Sequence, residues 1–218
     1  MSTSPAIAAT GLCRRYAARW ALRGVDLRVE RGRALMIVGA NGAGKTTLVR
    51  VLGTALRPTQ GSLELLGCAE PRDARPKVAL LSHADGHYDD LTARENLAFA
   101  ARAGGADADA LLERVGLAAR RHDVVRTFSA GMRKRLSFAR LLCKRADLVL
   151  LDEPYAGMDP AGHAFVDGLL RELRAGGTTV VLSTHQVARG AELCDDAVRL
   201  DAGKVAWAGP ARLALESA

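Results

Sequence analysis

The sequence contains no Cys-x-x-Cys pair. Its four cysteines, Cys13, Cys68, Cys143 and Cys194, lie far apart. That spacing argues against both a zinc site and a disulfide framework, and it fits a reducing compartment. No stretch approaches the roughly eighteen uninterrupted apolar residues that a transmembrane helix needs. The first residues, MSTSPAIAATGLCRRY, lack the basic start and apolar block of a secretory signal. The chain is therefore expected to stay in the cytosol, so that any work at a membrane requires a partner to hold it there. Internal repeats and low-complexity tracts are missing too. The formal net charge is +7, and 26 of the 31 basic residues are Arg. Such a balance suits nucleic acid, an anionic membrane surface or an anionic ligand. No nucleic-acid motif accompanies it, so no nucleic-acid partner is expected.

What is present reads as an ordinary folded protein, with 49% hydrophobic and 25% charged residues. AIAATGLCRRY and ALRGVDLRVERG read as strands, the second with apolar and polar residues alternating. ALMIVGA, ADLVLLDEP and TTVVLSTH are near-continuous apolar runs, the pattern of strands buried on both faces. GKTTLVRVLGTAL, SAGMRKRLSFARLLCKR, DPAGHAFVDGLLRELRAGG and HQVARGAELC carry helical spacing, and DAVRLDAGKVAWAG predicts a hairpin turning at Asp201 to Lys204. Thr92 and Glu95 form a capping-box pattern before another helix. Strands alternating with helices predict an α/β fold with a mainly parallel sheet flanked by helices. The run from about 91 to 145 reads as a helical insertion between core segments of about 1–90 and 146–218.

GANGAGKTT, residues 39–47, follows an apolar run, opens a helix and fits G-x-x-x-x-G-K-[ST]. Its glycines, Gly39, Gly42 and Gly44, with Ala40, Asn41 and Ala43 between them, let the backbone wrap close to phosphate oxygens and aim N–H groups at them. Lys45 supplies a point charge for the β- and γ-phosphates, the Thr46 hydroxyl suits Mg²⁺, and Thr47 continues the helix. In LVLLDEP, Asp152 closes an apolar strand, where a carboxylate holds Mg²⁺ through its waters, and the adjacent Glu153 is placed to polarise an attacking water as general base. Without the phosphate loop, both carboxylates would read as strand caps before Pro154. In TFSAGMRKR, Ser129 and Gly131 precede a helix whose N-terminus suits another phosphate. One nucleotide needs one phosphate loop, so a second anion-binding turn suggests two chains sharing each nucleotide. Alone, the block is weak, because a Ser N-cap is the common explanation.

In combination these blocks resemble the nucleotide-binding subunit of ABC transporters over nearly the whole chain. The match comprises the phosphate loop, FSAGM at 128–132, LVLLDEP, AGMD at 156–159 and STH ending at His185, five motifs in order. The resemblance implies a P-loop fold of the ABC type, with an antiparallel β part and an inserted helical subdomain. It further implies ATP and Mg²⁺ as ligands, integral membrane permease subunits as partners, and a head-to-tail homodimer with ATP at the interface, on the cytoplasmic face of a bacterial membrane. Tyr16 takes the place of the aromatic on which adenine stacks; the lesser alternative is a strand aromatic packed in the core. His185 stands where the family has its switch histidine, expected at the γ-phosphate, and Asp159 is expected to reach across the interface. Ala130 and Met132 depart from the usual Gly and Gln of the signature.

LSHADGHYDDLT, 81–92, falls where the family carries a glutamine that touches Mg²⁺ or the attacking water. The chain has only Gln60 and Gln186, and the position is taken by His83. Imidazole accepts or donates a hydrogen bond and titrates near neutrality. A metal site of His83, Asp85 and His87 would lack a completing ligand. His87, Asp89 and Asp90 are expected on the loop surface, and most of the basic run from Arg133 to Arg145 on a solvated helix face. The histidine, the G-x-Y-D-D-L-T that follows its loop and the small size resemble the ATPase of the haem exporter of cytochrome c maturation, the CcmA type. The alternatives are an ABC exporter of drugs, lipids or polysaccharides, and a soluble ABC ATPase of iron–sulfur cluster assembly.

Overall fold

The structure is a computed structural model that describes residues 4–82, 86–101 and 105–215. The strands are β1 (Ile7–Tyr16), β2 (Arg19–Val29), β3 (Ala34–Val38), β4 (Gln60–Leu65), β5 (Val78–Leu81), β6 (Leu148–Asp152), β7 (Thr179–Ser183), β8 (Asp196–Asp201) and β9 (Lys204–Pro210). The helices are α1 (Lys45–Leu52), α2 (Ala93–Ala101), α3 (Ala108–Arg114), α4 (Ala130–Leu142), α5 (Pro160–Ala175) and α6 (Val187–Leu193), with short 3₁₀ turns between them. None of them is long and apolar enough to cross a membrane.

The apolar runs ALMIV, LVLLD and TVVLS become β3, β6 and β7, in which every residue is buried. They sit inside a sheet of order β5-β6-β7-β3-β8-β9, parallel except for the β8–β9 hairpin. Side chains alternate across β3. Leu35 and Ile37 join a core shared with α1 and with a second, antiparallel sheet of order β2-β1-β4. Met36 and Val38 face the other way, onto Ala197, Ala211 and Val187. Two covered faces explain why these runs are continuous rather than alternating. α1 places Leu48, Val49, Val51 and Leu52 in the first core, each fully buried. Each such side chain contributes about 1.5–3 kcal/mol of burial free energy.

Contacts divide the chain into two units. One comprises Met1–Ser82, Ala146–Pro154 and Asp167–Ala218, the other His83–Arg145 and Tyr155–Val166. The second unit thus takes in the segment after Pro154 and the first turns of α5. Its interior holds Leu97, Leu112, Leu136 and Phe138, with Phe138 meeting Phe165 edge to face at 5.6 Å.

α2 begins with the expected capping box: the Thr92 N–H donates to Glu95 Oε2 at 2.8 Å and the Glu95 N–H to Thr92 Oγ1 at 3.2 Å. The bond from the Thr92 N–H, seconded by the Thr92 hydroxyl, holds the Glu95 carboxyl below its ordinary value of 4.5. A lowered carboxyl pKa means the cap stabilises fully above the unfolded value and is lost as pH falls through the folded one. Hydrogen-exchange protection of the Thr92 amide is therefore expected to drop on acidification below 4.5, and Glu95→Ala to remove that dependence.

The loop before α2 departs from expectation. His83 and Asp85 lie outside the described residues, but His87 is partly buried. Its Nε2 lies 3.0 Å from both the Arg133 carbonyl and the Ser137 hydroxyl, so the ring ties the loop to α4. Three arginines of the basic run are likewise engaged within their unit, while Lys144 and Arg145 are exposed as expected. Arg133 pairs with Asp89 at 2.6 Å, Arg140 donates to the Gly86 carbonyl at 2.5 Å, and Arg135 lies over Phe165. These side chains serve as internal ties, because the acidic loop and open carbonyls opposite them need donors. Among the described residues no group of three or more His, Cys, Asp and Glu comes together.

Candidate functional site

The chain leaves β3 at Val38 and re-enters regular structure at Lys45, the first residue of α1. The six residues between make a turn that only glycine permits at its ends. Gly39 and Gly44 have φ of 144° and 109°. A Cβ on Gly39 would lie 2.4 Å from the Leu200 carbonyl oxygen, and one on Gly44 2.6 Å from that of Ala21. Both the backbone angle and the close approach of neighbouring strands demand the missing side chain. Gly39→Ala is expected to destabilise the fold by about 1–3 kcal/mol and to weaken ATP binding about tenfold or more, read by thermal unfolding and titration calorimetry.

A clamp that sequence patterning did not reveal holds this loop. The β8–β9 hairpin turns through Ala202 and Gly203, both at positive φ (44° and 82°), as a two-residue turn with the twist of paired strands requires. The Gly203 N–H donates to the Ala43 carbonyl at 3.0 Å, and its carbonyl accepts from the Arg23 N–H at 2.8 Å. The turn thereby bridges β2 and the phosphate loop.

Lys45 is buried, and its ammonium bends back to donate to the carbonyls of Gly39 (2.7 Å) and Ala40 (3.2 Å). The Thr46 hydroxyl donates to Asp152 Oδ1 at 3.2 Å, and the Ser183 hydroxyl to the same oxygen at 2.6 Å. Asp152 is 1% exposed. Its other oxygen, Oδ2, is buried without a hydrogen-bond partner among the described residues. Leaving a buried carboxylate oxygen unpaired costs about 1–3 kcal/mol or more, so the arrangement suits a cation or its coordinated water at that oxygen. An aspartate beside a threonine hydroxyl is the sparse oxygen donor set that Mg²⁺ accepts when phosphates and water complete its octahedron. The residues therefore fit the metal expected from the sequence.

Glu153 leaves the strand at φ 47°, a strained value for a residue with a side chain. The kink is held by its N–H donating to the Ser183 carbonyl at 3.1 Å, with the Ser183 hydroxyl also within 3.2 Å. Ser183 lies opposite Asp152 in the parallel register of β6 and β7, so one residue positions both carboxylates. The Glu153 Oε2 stands 2.9 Å from His185 Nδ1. The His185 side chain is 66% exposed, that of Glu153 20%.

A cleft of about 480 Å³ gathers Tyr16, Asn41, Lys45, Thr46, Thr47 and Glu153. Tyr16 is 42% exposed, so it is not the packed core aromatic that its strand position also allowed. Arg19, Trp20, Arg23 and Gly203 also line the cleft and went unflagged in the sequence, where they read as strand and turn residues. A larger cavity of about 660 Å³ lies around Thr54, Arg57, Glu70 and Arg75, with none of the motif residues in it.

The signature residues lie in the second unit. Ser129 is the N-cap of α4, its hydroxyl accepting the Met132 N–H at 3.3 Å, and Gly131 sits in the first turn. Asp159 serves α5 in the same way, accepting the Gly162 N–H at 2.7 Å. Both side chains have a local structural task here beside any role toward a partner.

The ABC transporter family model matches residues 22–156. A daunorubicin resistance ATP-binding protein of Streptomyces coeruleorubidus, DrrA3, is 42% identical, covering 94% of this chain and 68% of its own length. The cytochrome c biogenesis ATP-binding export protein CcmA of Cupriavidus pinatubonensis is 36% identical, covering 87% of this chain and 88% of its own. A solved ATP-binding subunit of an ABC transporter superposes with a TM-score of 0.85 at 28% identity, over 94% of this chain and 89% of that one. Drug-resistance and cytochrome c biogenesis relatives thus stand at similar identity, and the CcmA type expected from the histidine loop is not singled out.

Proposed function

The chain belongs to the ABC transporter family as an ATP-binding subunit, and from that premise we propose that it hydrolyses ATP to power an exporter held in a membrane by integral permease subunits. The observation that carries the chemistry is the buried Asp152, with one oxygen bonded by Thr46 and Ser183 and the other without a partner among the described residues, beside Glu153 at the mouth of the phosphate loop.

In this reading the loop N–H groups of Gly39 to Thr47 and the α1 N-terminus hold the phosphates, and Tyr16 takes the adenine. Binding draws the Lys45 ammonium from the Gly39 and Ala40 carbonyls onto phosphate oxygens, exchanging neutral acceptors for charged ones. Thr46 and Asp152 hold Mg²⁺, which when bound neutralises charge on the β- and γ-phosphates. Glu153 orients the attacking water and accepts its proton, with its carboxylate steadied by His185 until the γ-phosphate takes over that histidine. His83, at the position of the family's glutamine, completes water positioning; it lies outside the described residues.

The start of α4, with Ser129 and Gly131, supplies the second anion site, so two copies pack head to tail with each ATP shared, and Asp159 reaches the partner. Closure on ATP and opening after hydrolysis transmit work to the permease, because ATP binds the closed state better than the open one. The segment of about 91–145 is read as the helical subdomain and about 1–90 and 146–218 as the core, working at the cytoplasmic face of a bacterial membrane.

Two cargo readings each have support. Similarity to the daunorubicin resistance protein, at 42% identity, favours export of a drug. The histidine loop and the similarity to CcmA, at 36% identity, favour haem export. The test is affinity purification from detergent-solubilised membranes. Recovery of integral membrane subunits supports the exporter, and the cytochrome-maturation or drug-export character of those subunits decides the cargo class. Recovery of cluster-assembly scaffolds alone would overturn it in favour of a soluble iron–sulfur ATPase.

A further inference from the structure

Arg14 stands on β1 two residues before Tyr16 and so on the same face of the strand. Its guanidinium carbon lies 4.8 Å from the centre of the Tyr16 ring. One guanidinium nitrogen, Nη1, donates to the carbonyl of Arg57 at 3.0 Å, while Nε is buried with no hydrogen-bond partner among the described residues. The Arg57 carbonyl and the Tyr16 ring are thus the two contacts that hold the guanidinium among the described residues. The loop that receives it is also anchored to the strand. The Thr59 N–H donates to the Cys13 carbonyl at 2.7 Å, and the Arg15 N–H to the Thr59 hydroxyl at 3.1 Å. Arg57 therefore offers a fixed acceptor. Tyr16, by contrast, is 42% exposed and lines the nucleotide cleft.

We infer that Arg14 is a positioning residue for the nucleotide base: it backs Tyr16, fixes the ring's orientation and leaves the solvent-facing side of the ring for a purine. The inference rests on the reading that Tyr16 receives the base. An exposed tyrosine loses rotamer freedom when a base stacks on it, and a ring already held loses less, so the preorganised stack binds more tightly. The guanidinium also draws electron density from the ring and improves stacking with an electron-rich purine on the opposite side. Phosphate contacts, made by the loop and Lys45, are untouched by this device.

The test is steady-state ATP hydrolysis by the full chain together with competition by inorganic tripolyphosphate, which lacks a base. Arg14→Ala is expected to raise the KM for ATP about two- to fivefold, with little change in kcat and an unchanged inhibition constant for tripolyphosphate. Arg14→Lys, which keeps the charge, recovers part of the loss. Tyr16→Ala raises the KM further, about five- to fiftyfold, and the double variant is no worse than Tyr16→Ala alone. An unchanged KM in Arg14→Ala beside a raised one in Tyr16→Ala overturns the inference and spares the base site. An unchanged KM in Tyr16→Ala overturns the base site and the inference with it. Equal losses for ATP and tripolyphosphate in Arg14→Ala contradict the inference and mark a structural defect.

Discussion

Glu153→Gln is expected to slow ATP hydrolysis by about 100- to 10,000-fold while leaving ATP affinity nearly intact. The amide keeps the size of the side chain and its place beside His185, so the kinked backbone at φ 47° and its bonds to Ser183 need not change. What is lost is the proton acceptor. Binding energy is expected from the phosphate loop, to which the Glu153 side chain makes no hydrogen bond among the described residues. Single-turnover hydrolysis and nucleotide binding, measured on the same preparation, separate the two. A variant that turns over at the wild-type rate would remove Glu153 from the role of base.

Lys45→Ala is expected to weaken ATP binding by about 100-fold or more, a loss in ground-state affinity rather than in the chemical step. The ammonium is buried against the loop carbonyls of Gly39 and Ala40, so it waits within reach of the phosphates and needs no long side-chain search to find them. Removing it deletes the buried cation nearest to a highly charged ligand. It also leaves the two carbonyls without that donor, so a modest loss in thermal stability accompanies the loss in affinity. Lys45→Arg is expected to rescue poorly, because a planar guanidinium does not fit where a compact ammonium meets two carbonyls. Titration calorimetry with Mg²⁺ and ATP checks both variants, and near wild-type affinity in Lys45→Ala would contradict the placement.

The parts of this site that were legible in the sequence are those fixed by local chemistry. The glycines of 39–47 are dictated by turn geometry, Asp152 closes an apolar run, and Ser129 and the Thr92–Glu95 pair are caps, each a matter of a few neighbouring residues. The parts that were hidden depend on register. Ser183 positions both carboxylates only because β6 and β7 pair Asp152 with it, and STH gives no sign of that. Gly203 clamps the phosphate loop only because β8 returns beside β3 and the hairpin turn then meets Ala43. Local reading also erred where a neighbour overrode it. The helical pattern after Lys45 continues in sequence to Leu56, yet α1 stops at Leu52. A side chain at Gly53 would press on Leu80, and Thr54 turns the chain at φ 59°. His87 and the arginines of α4 read as surface groups, because the Asp89 carboxylate and the carbonyls they bond come from other stretches of the chain.

The central claim is that two copies of this chain close around ATP, with the phosphate loop of one facing the Ser129 turn of the other, to drive a transporter. The most direct measurement is sedimentation of purified Glu153→Gln with and without Mg²⁺ and ATP, alongside the same variant carrying Ser129→Arg. A monomer that becomes a dimer holding two ATP molecules when nucleotide is added is expected, and a monomer throughout when the Ser129 turn is blocked. A chain that binds ATP tightly yet stays monomeric, or a dimer indifferent to the Ser129 substitution, would contradict it.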